Sequence, residues 1–445
     1  MADTVALATP PETKFDPARQ MSGAAAATCD LIVTPAVYAD QKLLDATFAR
    51  LRKEDPLAWC EPEAFRPFWA VTKHADIMEV SRQNALFTNG EREMLSYHEA
   101  EKGVYAKFGQ PHLLKTLVQL DDPLHYKLRH LTQEWFMPQN VKKREDAIKT
   151  IAKQYVDRME DLGGECDFQR DVALYYPLRV IMQILGVPES DEPMMLKLTQ
   201  EIFGAQDEDL MRDKSLAEER DVEKGLASIQ ATLAEFFMYF TAITADRRAN
   251  PKDDVSTVIA NGMVDGEPIG QLEAMSYYII TAAAGHDTTS ASTGGGVLAM
   301  LQDPAQLKKM MADPKAMSRT AVDEAIRWTT PVKHFMRTAQ DDYTLRGKKV
   351  LKGESLLLCY PSGNRDEEVF DEPFRFKVDR SPNKLISFGH GGHMCLGMHL
   401  ARLEMQAIYE ELFSRVKSIE LAGEPSFIKA NFVGGPKSIP VRYKF

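Results

Sequence analysis

Apolar residues recur every three or four positions through residues 140–162, 215–249, 270–302 and 395–416, and this spacing predicts four long helices. Strand-like pieces are short and fall late: "RTAQDDYTL", "KKVLKGESLLLCY", and the last dozen residues, which alternate around Pro440. No internal repeat, low-complexity linker or compositional break interrupts residues 35–445, so the pattern predicts one large domain, mainly α with small β-sheets. Residues 1–34 are rich in Ala, Pro and Thr and read as a partly disordered tail. No basic stretch followed by a long apolar one opens the chain, and no run supplies the roughly 20 apolar residues of a membrane span.

Composition narrows the functional classes. The chain has 445 residues, 44% of them hydrophobic, enough for a sizeable core. Its net charge of −11 is spread along its length, which argues against nucleic acid as a partner, since phosphate binding calls for clustered Lys and Arg. Five cysteines, Cys29, Cys60, Cys166, Cys359 and Cys395, lie far apart, and their odd number without regular spacing reads as thiols in a reducing, cytoplasmic setting.

The stretch "SFGHGGHMCLGMHLARLEM" (387–405) concentrates glycines and histidines around Cys395. A buried structural cysteine would leave Gly389, Gly391, Gly392 and Gly397 unexplained, because glycine costs conformational entropy. Zinc bound by His390, His393 and Cys395 has no obvious fourth ligand. A phosphate loop would end in Lys-Ser/Thr, absent here. A cysteine at the first turn of the 395–416 helix accounts for more: the helix dipole favours a thiolate, and the glycines admit a flat macrocycle. Such a thiolate ligates haem iron.

"FGHGGHMCLG" (388–397) resembles the haem-binding signature F-x-x-G-x-[RH]-x-C-x-G of the cytochrome P450 superfamily. "EAIR" (324–327) is similar to that family's E-x-x-R element, and "AGHDTT" (284–289) to its oxygen-activating stretch. The C-terminal half, with "PVKHFMRTA", "YPSGNRDEEVF" and "NFVGGPKSIPVRY", looks most like the bacterial branch that hydroxylates monoterpenoids such as terpineol. The resemblance implies a haem b cofactor, with Cys395 as axial ligand and Phe388, Gly389 and Gly397 in its loop. It implies a structural clamp of Glu324, Arg327 and Arg380. It also makes His125, Arg129, Arg337 and His393 partners of the haem propionates, with Tyr97 or His98 as further candidates. His125 and Arg129 are four apart and face one way on a helix capped around Asp121 or Asp122.

The 270–302 helix would be about 48 Å long. Its middle turns to small residues, and Ala283, Ala284 and Gly285 are expected to clear space for dioxygen and substrate, with a local widening beside Thr288. Asp287 and Thr288 are the candidate catalytic pair, Thr289 points about 100° away, and His286 has no assigned role. The resemblance outlines a pocket from Met94, Leu95, Tyr97, Phe108, Ala283, Ala284, Phe335, Phe432 and Val433, apolar and suited to a monoterpenoid or alkyl-aromatic. Lys115, Lys127 and Arg402 are candidates for docking a [2Fe–2S] ferredoxin served by an NAD(P)H reductase, because no nicotinamide or flavin fingerprint is present. The implied function is a haem-thiolate monooxygenase using dioxygen. The alternatives are the same chemistry on a larger terpenoid, steroid or fatty acid, a peroxide-driven relative, or a non-catalytic haem sensor.

Overall fold

The computed structural model describes Asp16, residues 18–217 and residues 221–445. Its helices begin with α1 (Gly23–Val33), α2 (Gln41–Glu54), α3 (His74–Ser81), α4 (His98–Phe108) and α5 (Leu124–Gln133). They continue with α6 (Pro138–Lys142), α7 (Glu145–Asp161), α8 (Tyr175–Leu185), α9 (Glu192–Phe203) and α10 (Val222–Ala249). The second half adds α11 (Val255–Ala260), α12 (Gln271–Gln302), α13 (Pro304–Ala312), α14 (Pro314–Thr329), α15 (Tyr360–Gly363) and α16 (Met398–Arg415).

Aspartates punctuate these helices. Asp254, Asp303 and Asp313 each accept a backbone N–H of the helix that follows, and a proline fills the first helical position of α13 and α14. The expected helix over 140–162 is two, α6 and α7, broken at Lys143–Arg144. The expected start at 215 moves to Val222, where the Asp221 side chain accepts from Lys224 N–H.

The strands are β1 (Leu57–Cys60), β2 (Phe68–Val71), β3 (Phe87–Thr88), β4 (Glu165–Asp167), β5 (Met263–Val264), β6 (Glu267–Pro268) and β7 (His334–Ala339). They end with β8 (Tyr343–Leu345), β9 (Lys348–Val350), β10 (Ser355–Cys359), β11 (Ser418–Leu421), β12 (Ser426–Phe427), β13 (Pro436–Ser438) and β14 (Pro440–Lys444). The largest sheet has the order β1-β2-β10-β7-β3. Sequence pattern located β7 and β10 but not β1 to β3; β1 and β2 are buried along their whole length and carry no alternation, and β3 is only two residues long.

Three expectations are corrected here. The tail reaching to residue 34 contains α1, capped by Ser22, with Ala24, Ala25, Cys29 and Ile32 buried in a cluster shared with α2 and β1. Residues 1–15 and 17 lie outside the described residues. Cys29 and Cys60 are joined as a disulfide, a pairing across 31 residues that spacing alone did not reveal. Finally, α10 is long and apolar enough by composition to cross a membrane, but Phe240 on it stacks on Tyr278 of α12 at 4.7 Å, and Phe236 stacks on Phe240.

The long α12 crosses the molecule and packs on α8, α14 and α16. Its "TGGG" stretch is the crossing point. A Cβ on Gly295 would lie 2.1 Å from Thr329 Oγ1, and one on Gly296 would lie 2.1 Å from the Tyr409 hydroxyl and 2.5 Å from Ala325 Cβ. These glycines bring three helices within contact of one another, a task of packing. Gly296→Ala is expected to lower stability by about 1–3 kcal/mol through overpacking, read from denaturant unfolding; an unchanged midpoint would refute the crowding.

Candidate active site

The segment from 384 to 397 is regular only over one 3-10 turn, Gly391–His393, which packs on α3, and it leads into α16. Phe388 accepts the Cys395 backbone N–H at 2.7 Å, and Gly391 accepts that of Met394 at 3.1 Å, folding the loop into a tight hairpin. Gly389 and Gly391 have φ of +70° and +73°, a left-handed backbone that favours glycine. A Cβ on Gly391 would also lie 2.1 Å from the Ser81 carbonyl oxygen at the end of α3. Gly391 therefore lets the loop press on α3. Gly397 faces open space: among the described residues, none beyond its chain neighbours comes within 4 Å of where a Cβ would stand.

Cys395 precedes the first residue of α16 by three positions, so it is not in the first helical turn as expected. It is exposed at the end of the loop, although protein surrounds it. That enclosure raises its thiol pKa, partly offset by the Gly397 backbone N–H and by Arg129 and Arg402. The Gly397 N–H and the Arg129 and Arg402 charges are the groups here that favour a thiolate, in place of the first helical turn expected from sequence.

Basic groups collect beside this loop. On α5, Arg129 donates to the Met394 carbonyl at 2.7 Å, and His125 stacks on His393 with ring centroids 4.0 Å apart. Asp122 faces His125 Nδ1 at 3.3 Å, while Asp121 instead accepts backbone N–H groups of Asn89 and Gly90. Arg337, buried on β7, donates to the Met336 carbonyl. Neither Arg129 nor Arg337 has a carboxylate ion-pair partner among the described residues, and buried His125 Nε2 has no hydrogen-bond partner. Burial lowers the pKa of both arginines and of His125, and it pushes His393 down to about 2, helped by His125, Arg337 and Arg129. Two unpaired guanidiniums and two imidazoles around an exposed thiol suit a group bearing two carboxylates and a metal. Haem b fits this donor set.

Residues 91–438 match the profile of the family described as Cytochrome P450. The chain belongs to the cytochrome P450 family. It is 44% identical to Cytochrome P450-terp of a Pseudomonas species over 93% of this chain and 96% of that protein. It is 31% identical to Linalool 8-monooxygenase of Pseudomonas putida, covering 92% of this chain and 97% of that one. Among solved structures, CYP108D1 of Novosphingobium aromaticivorans superposes with a TM-score of 0.86 at 44% identity, covering 94% of this chain and 98% of that chain. The Mycobacterium marinum P450 CYP268A2, in complex with pseudoionone, gives 0.85 at 30% identity, covering 96% and 100%. This P450 is a monooxygenase, and haem b is its cofactor.

The P450's Glu324 accepts Arg327 through both oxygens at 2.7 Å and Arg380 Nε at 2.9 Å, all inside the protein. Lys377 N–H and Asn383 Nδ2 complete its shell. Asn364, which sequence reasoning missed, ties Ile386 N–H at 2.9 Å and Ser387 Oγ at 2.8 Å, so this network reaches the cysteine loop.

On α12, Ala284 is exposed in mid-helix and Thr288, one turn on, is half-buried, which makes an open strip. Ala283 is buried, and a Cβ on Gly285 would sit 2.7 Å from Ile181 Cγ1 of α8. Those two small residues serve packing, contrary to the expectation. The expected widening is also absent: α12 is continuous, and the Thr288 hydroxyl donates to the Ala284 carbonyl at 3.0 Å. His286 is buried, its Nε2 2.8 Å from the Leu174 carbonyl oxygen, and Asp287 Oδ1 lies 3.4 Å from its Nδ1. Asp287 Oδ2 is without a hydrogen-bond partner among the described residues, and Thr289 is buried.

The expected pocket residues divide. Phe335 and Phe432 meet edge to face at 5.5 Å, Phe203 of α9 joins Phe432 at 6.3 Å, and Val433 bridges to Val332. Met94 is half-buried and adjoins Leu95, which is sealed in the cluster beneath α1 and α2. Tyr97 caps α4 and packs on Phe65, with His98 as the first residue of that helix. Phe108 is exposed at the end of α4 below the Lys107 ammonium. Leu95 and Phe108 are therefore withdrawn as pocket residues. Of the docking candidates, Lys115 pairs with Glu273, Lys127 with Asp265 and Arg402 with Asp323, so each positive charge has an acidic neighbour.

Glu324→Ala strands two buried guanidiniums, and a loss of about 3–5 kcal/mol is expected. Denaturant unfolding together with haem content after gel filtration measures it. Full haem retention with a normal melting temperature would contradict the bracing of the cysteine loop.

Proposed function

We propose that this P450 hydroxylates a small hydrophobic substrate, a monoterpenoid or alkyl-aromatic, with electrons from a [2Fe–2S] ferredoxin and its NAD(P)H-dependent reductase in the cytoplasm. The observation that carries the reading is the exposed Cys395 thiol set beside unpaired Arg129 and Arg337 and the stacked His125–His393 pair. Cys395 would ligate the iron, and those four side chains would hold the propionates. When bound, the haem supplies the oxidising chemistry, with thiolate donation favouring O–O cleavage and transfer of one oxygen atom to a C–H bond.

The chain's own residues then have defined tasks. The Thr288 hydroxyl spends its proton on the Ala284 carbonyl, which leaves its lone pairs free to accept from a water and fix that water on the open strip of α12. Asp287, with one oxygen unpartnered, is the nearby acid that can exchange a proton with such a water. Phe203, Phe335 and Phe432 offer an apolar wall. The names of the relatives support the substrate class, since both Cytochrome P450-terp and Linalool 8-monooxygenase refer to monoterpenoids. A second reading takes a larger lipid or steroid, as in the 32% identical Methyl-branched lipid omega-hydroxylase and 30% identical Steroid C26-monooxygenase. Of the cations considered for ferredoxin docking, Arg402 is favoured because its guanidinium covers the Phe388 ring of the cysteine loop at 4.8 Å.

Spectral titration of the ferric protein with terpineol, linalool, alkyl-benzenes, a steroid and a fatty acid tests the substrate class: tight shifts are expected with the monoterpenoids, and tight binding of the steroid alone would favour the second reading. Cys395→Ser should abolish the red-shifted absorbance of the ferrous–CO form; survival of that band would remove Cys395 as the ligand. Thr288→Ala should keep substrate binding and NADH consumption while most of the oxygen consumed leaves as hydrogen peroxide. If Thr289→Ala uncouples instead, Thr288 is the wrong hydroxyl.

A further inference from the structure

His334 opens β7 inside the protein, one residue before Phe335, and the established chemistry gives it no task. Its two ring nitrogens hold two other segments. The Leu95 backbone N–H donates to Nε2 at 3.0 Å, and Nδ1 lies 2.9 Å from the Asn431 carbonyl oxygen. Because Nε2 accepts, Nδ1 must carry the proton and donate, so the tautomer is fixed by its partners. The ring also lies against Phe432, with centroids 5.4 Å apart. Burial holds the imidazole neutral, with a pKa lowered to about 3, so this arrangement persists across the working pH range.

The segments joined in this way carry Met94, Phe335, Phe432 and Val433, the lining proposed for the substrate chamber. Leu95 follows Met94, and Met336 N–H donates to the Glu93 carbonyl at 2.7 Å, so residues 93–95 lie along β7. Asn431 precedes Phe432 and Val433. Its Nδ2 donates to the Val33 carbonyl at the end of α1, and its N–H donates to Gln206 Oε1 after α9. Lys333 N–H, next to His334, donates to the Phe432 carbonyl at 2.8 Å. One neutral ring thus sits where three chain segments with no common secondary structure converge.

We propose that His334 is a positioning residue for substrate recognition, fixing the spacing between the 93–95 segment, Phe335 and the 431–433 loop. The inference rests on the chamber reading given above. An aliphatic side chain of similar size would leave the Leu95 N–H and the Asn431 carbonyl unpaired and let the two walls drift apart. A glutamine amide offers one acceptor and one donor about as far apart as the imidazole nitrogens, and it can restore both contacts.

The test compares His334→Leu, His334→Gln and Phe432→Ala in the haem-loaded protein, with terpineol and linalool as probes. His334→Leu is expected to keep the full ferrous–CO band, to need at least tenfold more ligand for the spectral shift, and to give a broader set of hydroxylated products. His334→Gln should recover most of the affinity and the narrow product set. Loss of stability alone would move the melting temperature without changing the product ratio. If His334→Leu binds and oxidises like the wild type while Phe432→Ala does not, the positioning role is overturned and the chamber stands. If Phe432→Ala is also silent, the chamber reading itself falls. Should His334→Leu fail to accumulate, His334→Ser is compared with His334→Gln: weaker binding and broader products in His334→Ser with recovery in His334→Gln support the role, and wild-type binding and products in both overturn it.

Discussion

A carboxylate placed wholly inside a protein must have its charge answered on every side, and Glu324 meets this requirement with Arg327, Arg380, Lys377 N–H and Asn383. The geometry matters more than the net energy. Arg327 reaches on to the carbonyls of Asn364 and Pro373, and Arg380 to those of Asp371, Glu372 and Arg375. Residues without regular secondary structure are thereby tied to α14 and to one another by side-chain donors. Asn364 then passes that order to Ile386 and Ser387, a short way before Cys395. The polar lattice thus reaches Ile386 and Ser387, at the start of the loop that carries Cys395.

This lattice explains what could and could not be read along the chain. The signature around Cys395, the Glu324–Arg327 spacing and the long α12 were legible because each is local: neighbours in sequence are neighbours in space. Arg380 was legible only through family resemblance. Asn364 and Asn383 carried no local signal, since their partners are distant in sequence and asparagine is common in loops. The same holds for β1 and β2, whose complete burial erases alternation, and for the Cys29–Cys60 bond, which depends on α1 lying beside β1. The glycines were visible as a group, but their division of labour was not. Gly391 accommodates α3, Gly285 accommodates α8, and Gly295 and Gly296 accommodate the helices around α12.

The division on α12 bears on mechanism. A run of small residues invites the conclusion that all of it is open to a substrate. Successive residues turn by about 100°, however, so three neighbours cannot share one face. Ala284 is exposed while Ala283 is buried and Gly285 meets Ile181. The helix can approach α8 closely on one side and keep a narrow strip clear on the next. The clear strip carries Thr288, and the buried side carries His286 against the Leu174 carbonyl. Asp287 falls between these two environments, which is why one of its oxygens faces an imidazole and the other has no partner.

Substrate preference is harder to read from sequence than iron ligation for a related reason. The proposed metal site draws on one loop and a few side chains at fixed spacing, whereas the candidate chamber takes Met94 from a loop, Phe203 from the end of α9, Phe335 from β7 and Phe432 from a C-terminal loop. No single segment has the chamber's shape encoded in it. The shape arises where these pieces are joined, and the joining groups are polar: the His334 ring, the Asn431 amide and the backbone of residues 93–95. On the proposed role of His334, substitutions among the lining residues would alter volume, while substitutions among the joints would alter how the walls are set. On that role, two proteins with identical linings would differ in selectivity where their joints differ, which a comparison of linings alone would not show.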